Sequence, residues 1–447
     1  MIYILFIVLA MAFIACIALN KKDLISPSVV FTLGFLFQGV WAVLYAKTWK
    51  LGLHLNTFLV ILLGVIEFIV VSQLTKYVLK NKAQINDEKE EKIEFIKINR
   101  IMEVIYLAFA IFGSVLYLYF LVKSVDGSFT SFHAISKSIA KYDSLTKFSD
   151  QFNTVKIPFI INNVRAAIVA SGYWFLYVII NNFLYNRKIA IIEVFVVVIC
   201  LIASIIDGSR TSAIMIIIAG ICCFLFLNNK KHKFNNEISI KYISVIALIG
   251  VVFLSTFALF ANLLGRNVQQ NTFNYLSIYC GAEVKNLDLF LQEKNYEKSN
   301  NIIGSQTFVS LIKSYGEKIG FSGYKNYQLD LPFREANKVG LGNVYTTFYP
   351  FIYDFGYIGE FVLVGIMAFI SQLLYELCKK SNFSSKPDVL ILIYGIVFSC
   401  LLLSFFSNKF YENIFSMDLV KKVFVWCVFN YIFCILPIKI AVQKNAD

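Results

Sequence analysis

Apolar residues fall along the chain in long blocks separated by short polar breaks. A hydrocarbon core about 30 Å thick asks for about 20 apolar residues per helix. On that ruler about eleven blocks can span it: Ile2–Leu19, Val29–Tyr45, Leu55–Gln73, Ile101–Val122, Ile157–Leu184, Ile189–Ile206, Ser212–Leu227, Tyr242–Leu264, Tyr357–Leu377, Val389–Phe406 and Leu419–Ile438. The seventh is short, and the fifth is long enough to tilt or to begin at the interface. Ile2–Leu19 is apolar from its first residue, with no basic stretch before it and no small-residue cleavage site after it. It is expected to stay as a span and not to serve as a signal peptide.

Two polar gaps are long. Residues 123–156 open with a turn at Asp126–Gly127. Phe129, Phe132, Ile135 (or Ser136), Ile139 and Tyr142 then recur at three-to-four spacing beside Lys137 and Lys141, which predicts an amphipathic helix on the outer leaflet. Residues 265–345 form the longest gap, in which Phe308, Leu311, Ile312, Tyr315 and Ile319 give a second such face. The mixed charges between Lys76 and Arg100 read as a solvated surface. No solenoid-like repeat stands out, nor a two-fold repeat of interrupted helices of the kind found in secondary transporters.

Composition agrees with the pattern. The 447 residues are 58% hydrophobic and 15% charged, against about 25% charged in soluble proteins, and the mean hydropathy is +0.69. The expectation is an all-α polytopic membrane protein, one integral-membrane domain over residues 1–447. The formal charge of +13 reads as cytoplasmic anchoring against anionic lipid, not as nucleic-acid binding, since no basic-aromatic module accompanies it. Basic residues gather in alternate loops, at Lys21–Lys22, Lys76–Arg100, Arg187–Lys188, Lys230–Lys241 and Lys379–Lys386. That fixes the N-terminus outside and the C-terminus inside, with both long polar gaps on the outer face of the cytoplasmic membrane. The nine Cys lie mostly in apolar runs, Cys280 alone falls in the longest gap, and no cluster suggests a structural metal.

Arginine at the outer face is the main chemical signal, because its planar fork grips phosphate oxygens and keeps its proton. Arg165 lies inside the fifth block, where a charge either serves a function or snorkels to the headgroups. Arg210 stands in Asp207-Gly-Ser-Arg-Thr211, a tight hairpin in which Thr211 and Ser212 can cap the next helix. An arginine beside a helix N-terminus makes an anion pocket, unless it simply closes the turn on Asp207. Arg266 ends the eighth block, and Arg334 sits in Leu331-Pro-Phe-Arg-Glu335 away from any span. Asp354 and Glu335 are the candidate bases, since a sugar hydroxyl attacks well only when its proton is taken, and salt-bridging is the alternative for both. His133 and His54 are the outer histidines, expected as surface residues. Glu67, midway through the third block, is either paired inside the membrane or protonated, and is the feature that speaks for proton-coupled transport.

These residues resemble a known family. Asp207-Gly-Ser-Arg-Thr211, the long outer gap with Thr307–Ile319, and Gly340-Leu-Gly-Asn-Val-Tyr-Thr-Thr-Phe-Tyr-Pro-Phe-Ile-Tyr-Asp-Phe-Gly-Tyr-Ile-Gly359 together look like bacterial O-antigen and capsular polysaccharide repeat-unit polymerases of the Wzy type. The resemblance implies a GT-C-like helical membrane glycosyltransferase acting on undecaprenyl-diphosphate-linked oligosaccharides, with no metal or other cofactor. A flippase and a chain-length regulator would be its partners in lipopolysaccharide or capsule synthesis. It also implies that arginines stabilise the leaving diphosphate, a role carried over to Arg210 and less directly to Arg266 and Arg334, while Arg165 is a diphosphate-binding candidate from its place inside the fifth block alone. Some members place glycine eleven residues after an arginine in each of two outer loops; here those positions are Ser277 after Arg266 and Tyr345 after Arg334. An O-antigen-type ligase is the nearest alternative, and a flippase or other transporter of lipid-linked oligosaccharides is an alternative of another class.

Overall fold

The computed structural model describes residues 1–81, 93–148, 157–234, 271–293, 302–316, 318 and 329–437. It is 74% helical and 2% strand, which makes it an all-α protein, with one small hairpin among the described residues. Among the described residues seven helices are long and apolar enough to cross a membrane: α1 (Ile2–Leu19), α2 (Pro27–Leu44), α3 (Leu55–Asn81), α4 (Arg100–Ser124), α6 (Phe159–Asn186), α8 (Thr211–Lys231) and α12 (Phe348–Lys380). Two shorter apolar helices are α7 (Ile191–Ile205) and α13 (Val389–Leu402). The remaining elements are α5 (Phe132–Phe148), α9 (Thr272–Cys280), α10 (Ala282–Gln292), α11 (Val309–Tyr315), β1 (Arg334–Ala336), β2 (Val339–Gly342), α14 (Lys409–Ile414) and α15 (Met417–Phe429). A π-helical turn, Asn430–Ile435, follows α15. The expected Tyr242–Leu264 span lies outside the described residues.

The outward faces of the long helices are apolar. Helix α1 exposes Ile4, Ile7, Met11 and Ile14 at helical spacing, and α12 exposes Ile358, Phe361, Val362 and Phe369. Apolar faces of this extent require a partner phase more apolar than water, and lipid supplies it along a whole helix.

The chain divides into two compact units. The first comprises Met1–Asp87, Gln269–Lys379 and Val397–Met417; the second comprises Glu88–Val268, Lys380–Ile396 and Asp418–Asp447.

In the first unit α2 is the central helix, packed on α1, α3, α9 and α10. Pro27 opens it, where the missing N–H costs nothing. Phe31 stacks on Phe68 at 4.1 Å and Phe35 on Phe348 at 5.1 Å. Gln38 donates to the Phe405 carbonyl at 2.9 Å, satisfying a buried amide inside the bundle. At one end of this unit Asn20 collects Lys76 (2.9 Å), Gln73 (3.2 Å) and Ser26 (3.0 Å), while Tyr375 and Lys379 (3.4 Å) both reach Asp23. At the other end Trp49 packs on Ala282 and Leu341, which seats α10 and the β1–β2 hairpin over the spans.

In the second unit α4, α6, α7 and α8 pack together. Gly172 admits the Cβ of Cys200 so closely that a side chain there would overlap it, which brings α6 and α7 into near contact. Trp174 donates to Asn430 at 2.8 Å, and the π-helical turn presents that acceptor. Helix α5 is a correction to the expectation of a leaflet-bound helix. Its Ile135, Ile139 and Tyr142 face packs on Tyr117, Leu121, Val122, Ile157 and Ile206, so the protein covers most of that stripe. Only Phe129 and Phe132, before and at its start, stay exposed. Helix α11 behaves alike in the first unit: Phe308 lies edge-on to Tyr411 and Phe415, and α11 packs on α14. Ile319, the last residue of that expected stripe, lies outside the described residues.

Candidate functional site

The candidate residues fall in both units, and each set is built by its own surroundings. In the second unit the turn after α7 holds Arg210. Gly208 takes φ +85°, a conformation costly for other residues, and the Asp143 side chain of α5 fills the space where a Cβ would lie. Asp207 accepts the Ser209 amide at 3.0 Å and pairs with Arg165 at 2.7 Å. Arg165 also donates to the carbonyls of Ala203 (2.9 Å) and Ser204 (3.3 Å), and its guanidinium lies 4.9 Å from the centre of the Tyr117 ring. It thus satisfies carbonyls that α7 leaves open at its C-terminus and holds the turn in place. Arg210 is 9% exposed and sits at the cap position of α8. Because Arg210 already has near-helical dihedrals, Thr211 and Ser212 fall inside the first turn, and α8 starts without the side-chain cap expected from them. The N–H groups of that turn therefore point past Arg210 with the helix dipole behind them.

In the first unit the organising element is α10. Glu293, which ends it, binds both terminal nitrogens of Arg334, at 2.9 Å for Nη2 and closer still for Nη1. Arg334 Nε donates to the Tyr345 hydroxyl at 2.9 Å. The residue standing where some resembled sequences have glycine is thus the arginine's own partner. The Glu293 carboxylate pushes Arg334 above its ordinary pKa, and burial raises Tyr345 to about 12. Glu335, the next residue of β1, is exposed while Arg334 is half-buried, and the pairing of β1 with β2 shifts register between them.

Asp354 has a different occupation. Its carboxylate accepts the amides of Thr307 (2.7 Å) and Gln306 (3.3 Å), which latches residues 302–308 onto α12. Gln306 in turn accepts the Asp330 amide at 2.9 Å, and Asp330 accepts Tyr353 at 2.6 Å. Tyr349 donates to the Asp330 carbonyl and Tyr345 to that of Pro332 at 2.9 Å. Asp354 and Arg334 are the two ends of one hydrogen-bonded strip, backed by the stacked rings of Tyr345 and Tyr349 at 4.2 Å. Arg266 lies outside the described residues.

The structure adds a pair that no sequence pattern marked. Asp288, fully buried on α10, accepts the His54 amide (2.9 Å), the Thr57 hydroxyl (2.8 Å) and the His54 ring nitrogen Nδ1 (3.0 Å). Lys285 stands 3.7 Å away. His54 itself is 55% exposed. The two residues are 234 positions apart, so only the fold joins them. His133, by contrast, is exposed on α5. Among the described residues no three His, Cys, Asp or Glu side chains gather as a metal site would need.

Comparison of the chain with protein-family models, with curated proteins and with solved structures returns no match.

Proposed function

We propose that this multi-pass membrane protein is a glycosyltransferase that polymerises lipid-diphosphate-linked oligosaccharide repeat units, undecaprenyl diphosphate being the carrier the resemblance implies. The observation that carries the reading is Arg210, an almost buried arginine at the cap position of an apolar helix long enough to span. A diphosphate leaving an anomeric carbon develops charge on its bridging oxygen. Fixed donors with a helix dipole behind them stabilise that charge without moving at the moment of reaction. The position of Arg210 at the end of a span suits a phosphate carried at the headgroup level of a lipid. Arg165 supports it by holding Asp207, and with it the turn. Arg334, bound by Glu293, would have to exchange that carboxylate for phosphate before it could serve the same purpose. By this reading the reaction lies on the outer face of the cytoplasmic membrane.

The test is Arg210→Ala in a strain that makes the polymer, with Arg210→Lys beside it. Removing one such donor is expected to cost about 10²–10³ in turnover. Single lipid-linked repeats then reach the outer face while long chains disappear, and lysine restores little because it offers no fork. Unchanged chain length in Arg210→Ala would overturn the proposal.

One observation favours a second reading, transport. The carboxyl of Glu360 lies against Gly64 of α3, and that of Glu67 against Gly365 of α12. Paired acids within spans mark ion-coupled carriers. On that reading Arg210→Ala or Glu360→Gln strands single repeats on the inner face, an outcome the same experiment separates.

A further inference from the structure

A glycosyl transfer to a sugar hydroxyl needs a group that takes the hydroxyl's proton, and the two carboxylates singled out in the sequence are poorly placed for it. Asp354 is spent on two backbone amides, and Glu335 stands exposed on β1 with nothing among the described residues to orient its carboxylate. The His54–Asp288 pair has the missing properties. A carboxylate only accepts, so Nδ1 of His54 must carry its proton toward Asp288, and in the neutral ring the lone pair is then on Nε2. Asp288 is fixed from three further directions, by the His54 amide, the Thr57 hydroxyl and Lys285. The ring is thereby held in one tautomer and orientation while its far edge stays open to solvent. The same helix ends at Glu293, the partner of Arg334, about 7.5 Å further along the axis.

We propose that His54 is the base of the transfer and Asp288 its positioning residue, an assignment that rests on the glycosyltransferase reading above. His54 Nε2 takes the proton of the acceptor hydroxyl. The oxygen forms its bond to the donor's anomeric carbon as the bond from that carbon to the diphosphate oxygen breaks, and the electron pair leaves with the diphosphate. The proton held on His54 then passes to the released diphosphate or to water. The substrate class assigned to this edge of the unit is a free sugar hydroxyl of a lipid-linked acceptor.

The bland account is that Asp288 merely caps α3, with the histidine ring a bystander. Four proteins reconstituted with synthetic lipid-diphosphate repeats decide between them: wild type, His54→Ala, His54→Gln and Asp288→Asn, each checked for an unchanged unfolding temperature. The His54 side chain is exposed and its amide survives substitution, so both His54 variants are expected to fold. A base contributes about 10²–10⁴ in rate. Both His54 variants are expected to lose at least 100-fold in kcat with little change in KM, and added imidazole is expected to restore part of the activity of His54→Ala. Asp288→Asn is expected to lower kcat and not KM, with no imidazole rescue. If His54→Ala elongates chains within about threefold of wild type, the cap account holds and this proposal is overturned. If wild type makes no polymer while substrate is intact, the glycosyltransferase reading falls first and the base falls with it.

Discussion

A carboxyl group buried away from water is expensive, and Glu283 is such a group. It lies in the first turn of α10 with no exposed surface, and its own amide and the Gln38 side chain offset only part of that burial. Burial pushes its pKa well up, so the folded protein keeps a proton there that the unfolded chain releases near the ordinary value of about 4.3. The contribution to stability is complete below that ordinary value. It is lost as pH rises from there to the folded pKa, by up to about 1.4 kcal/mol for each unit of pH. Glu283→Gln has no proton to lose, so the difference in unfolding temperature between variant and wild type is expected to grow in the variant's favour from pH 5 to pH 8. A constant difference across that range would show that the carboxyl is not held neutral. None of this was visible in the sequence, where Glu283 is one acid among several in a long polar gap. The arginines were visible as types but their partners were not. Arg165 meets Asp207 and Arg334 meets Glu293 across some forty residues each, and spacing along a chain does not say which acid a fold will bring round.

At the level of elements the apolar blocks were legible because a membrane span has a minimum length and few charges. The boundaries that failed did so for local reasons. The ninth span was expected from Tyr357, yet α12 begins at Phe348, with Pro350 in its first turn, and changes direction at Gly356, where φ is +70° and ψ −167°. That region of conformational space is open to glycine almost alone. The bend follows directly on Asp354, so the Asp-Phe-Gly sequence does two jobs: the acid holds the 302–308 segment and the glycine turns the helix away beneath it. Gly356→Ala meets nothing within 4 Å, so its cost is conformational alone, expected at about 1–3 kcal/mol. Gly340→Ala, also in open space but without the positive φ, is expected to change stability by less than about 0.5 kcal/mol. Thermal unfolding of the two variants in detergent checks the pair, and equal behaviour would mean the bend at residue 356 is not needed. The amphipathic stripes of α5 and α11 were likewise read correctly as stripes. What they face was not legible, because an apolar face is satisfied equally by lipid and by a neighbouring helix.

At the scale of the whole molecule, sidedness links the loops of the first unit to any outer-face chemistry. The end of that unit where Asn20 meets Lys76 and Asp23 meets Lys379 also carries Lys21 and Lys22. The opposite end carries His54, Asp288, Arg334 and the hairpin. The orientation we propose, with the Lys21–Lys22 end on the cytoplasmic side, would put the second group outside, where a lipid-linked acceptor would meet it. Of the nine cysteines only Cys427 is exposed, so Cys427→Ser gives a nearly silent background for labelling. In that background Asn337→Cys, at the hairpin tip, is expected to react with a membrane-impermeant maleimide on intact cells. Lys22→Cys is expected to react only after the membrane is opened. The inverse result would turn the unit over and place His54 and Arg334 in the cytosol. A transferase using lipid-linked repeats already moved outward could not work from there, and both functional proposals would have to be given up together.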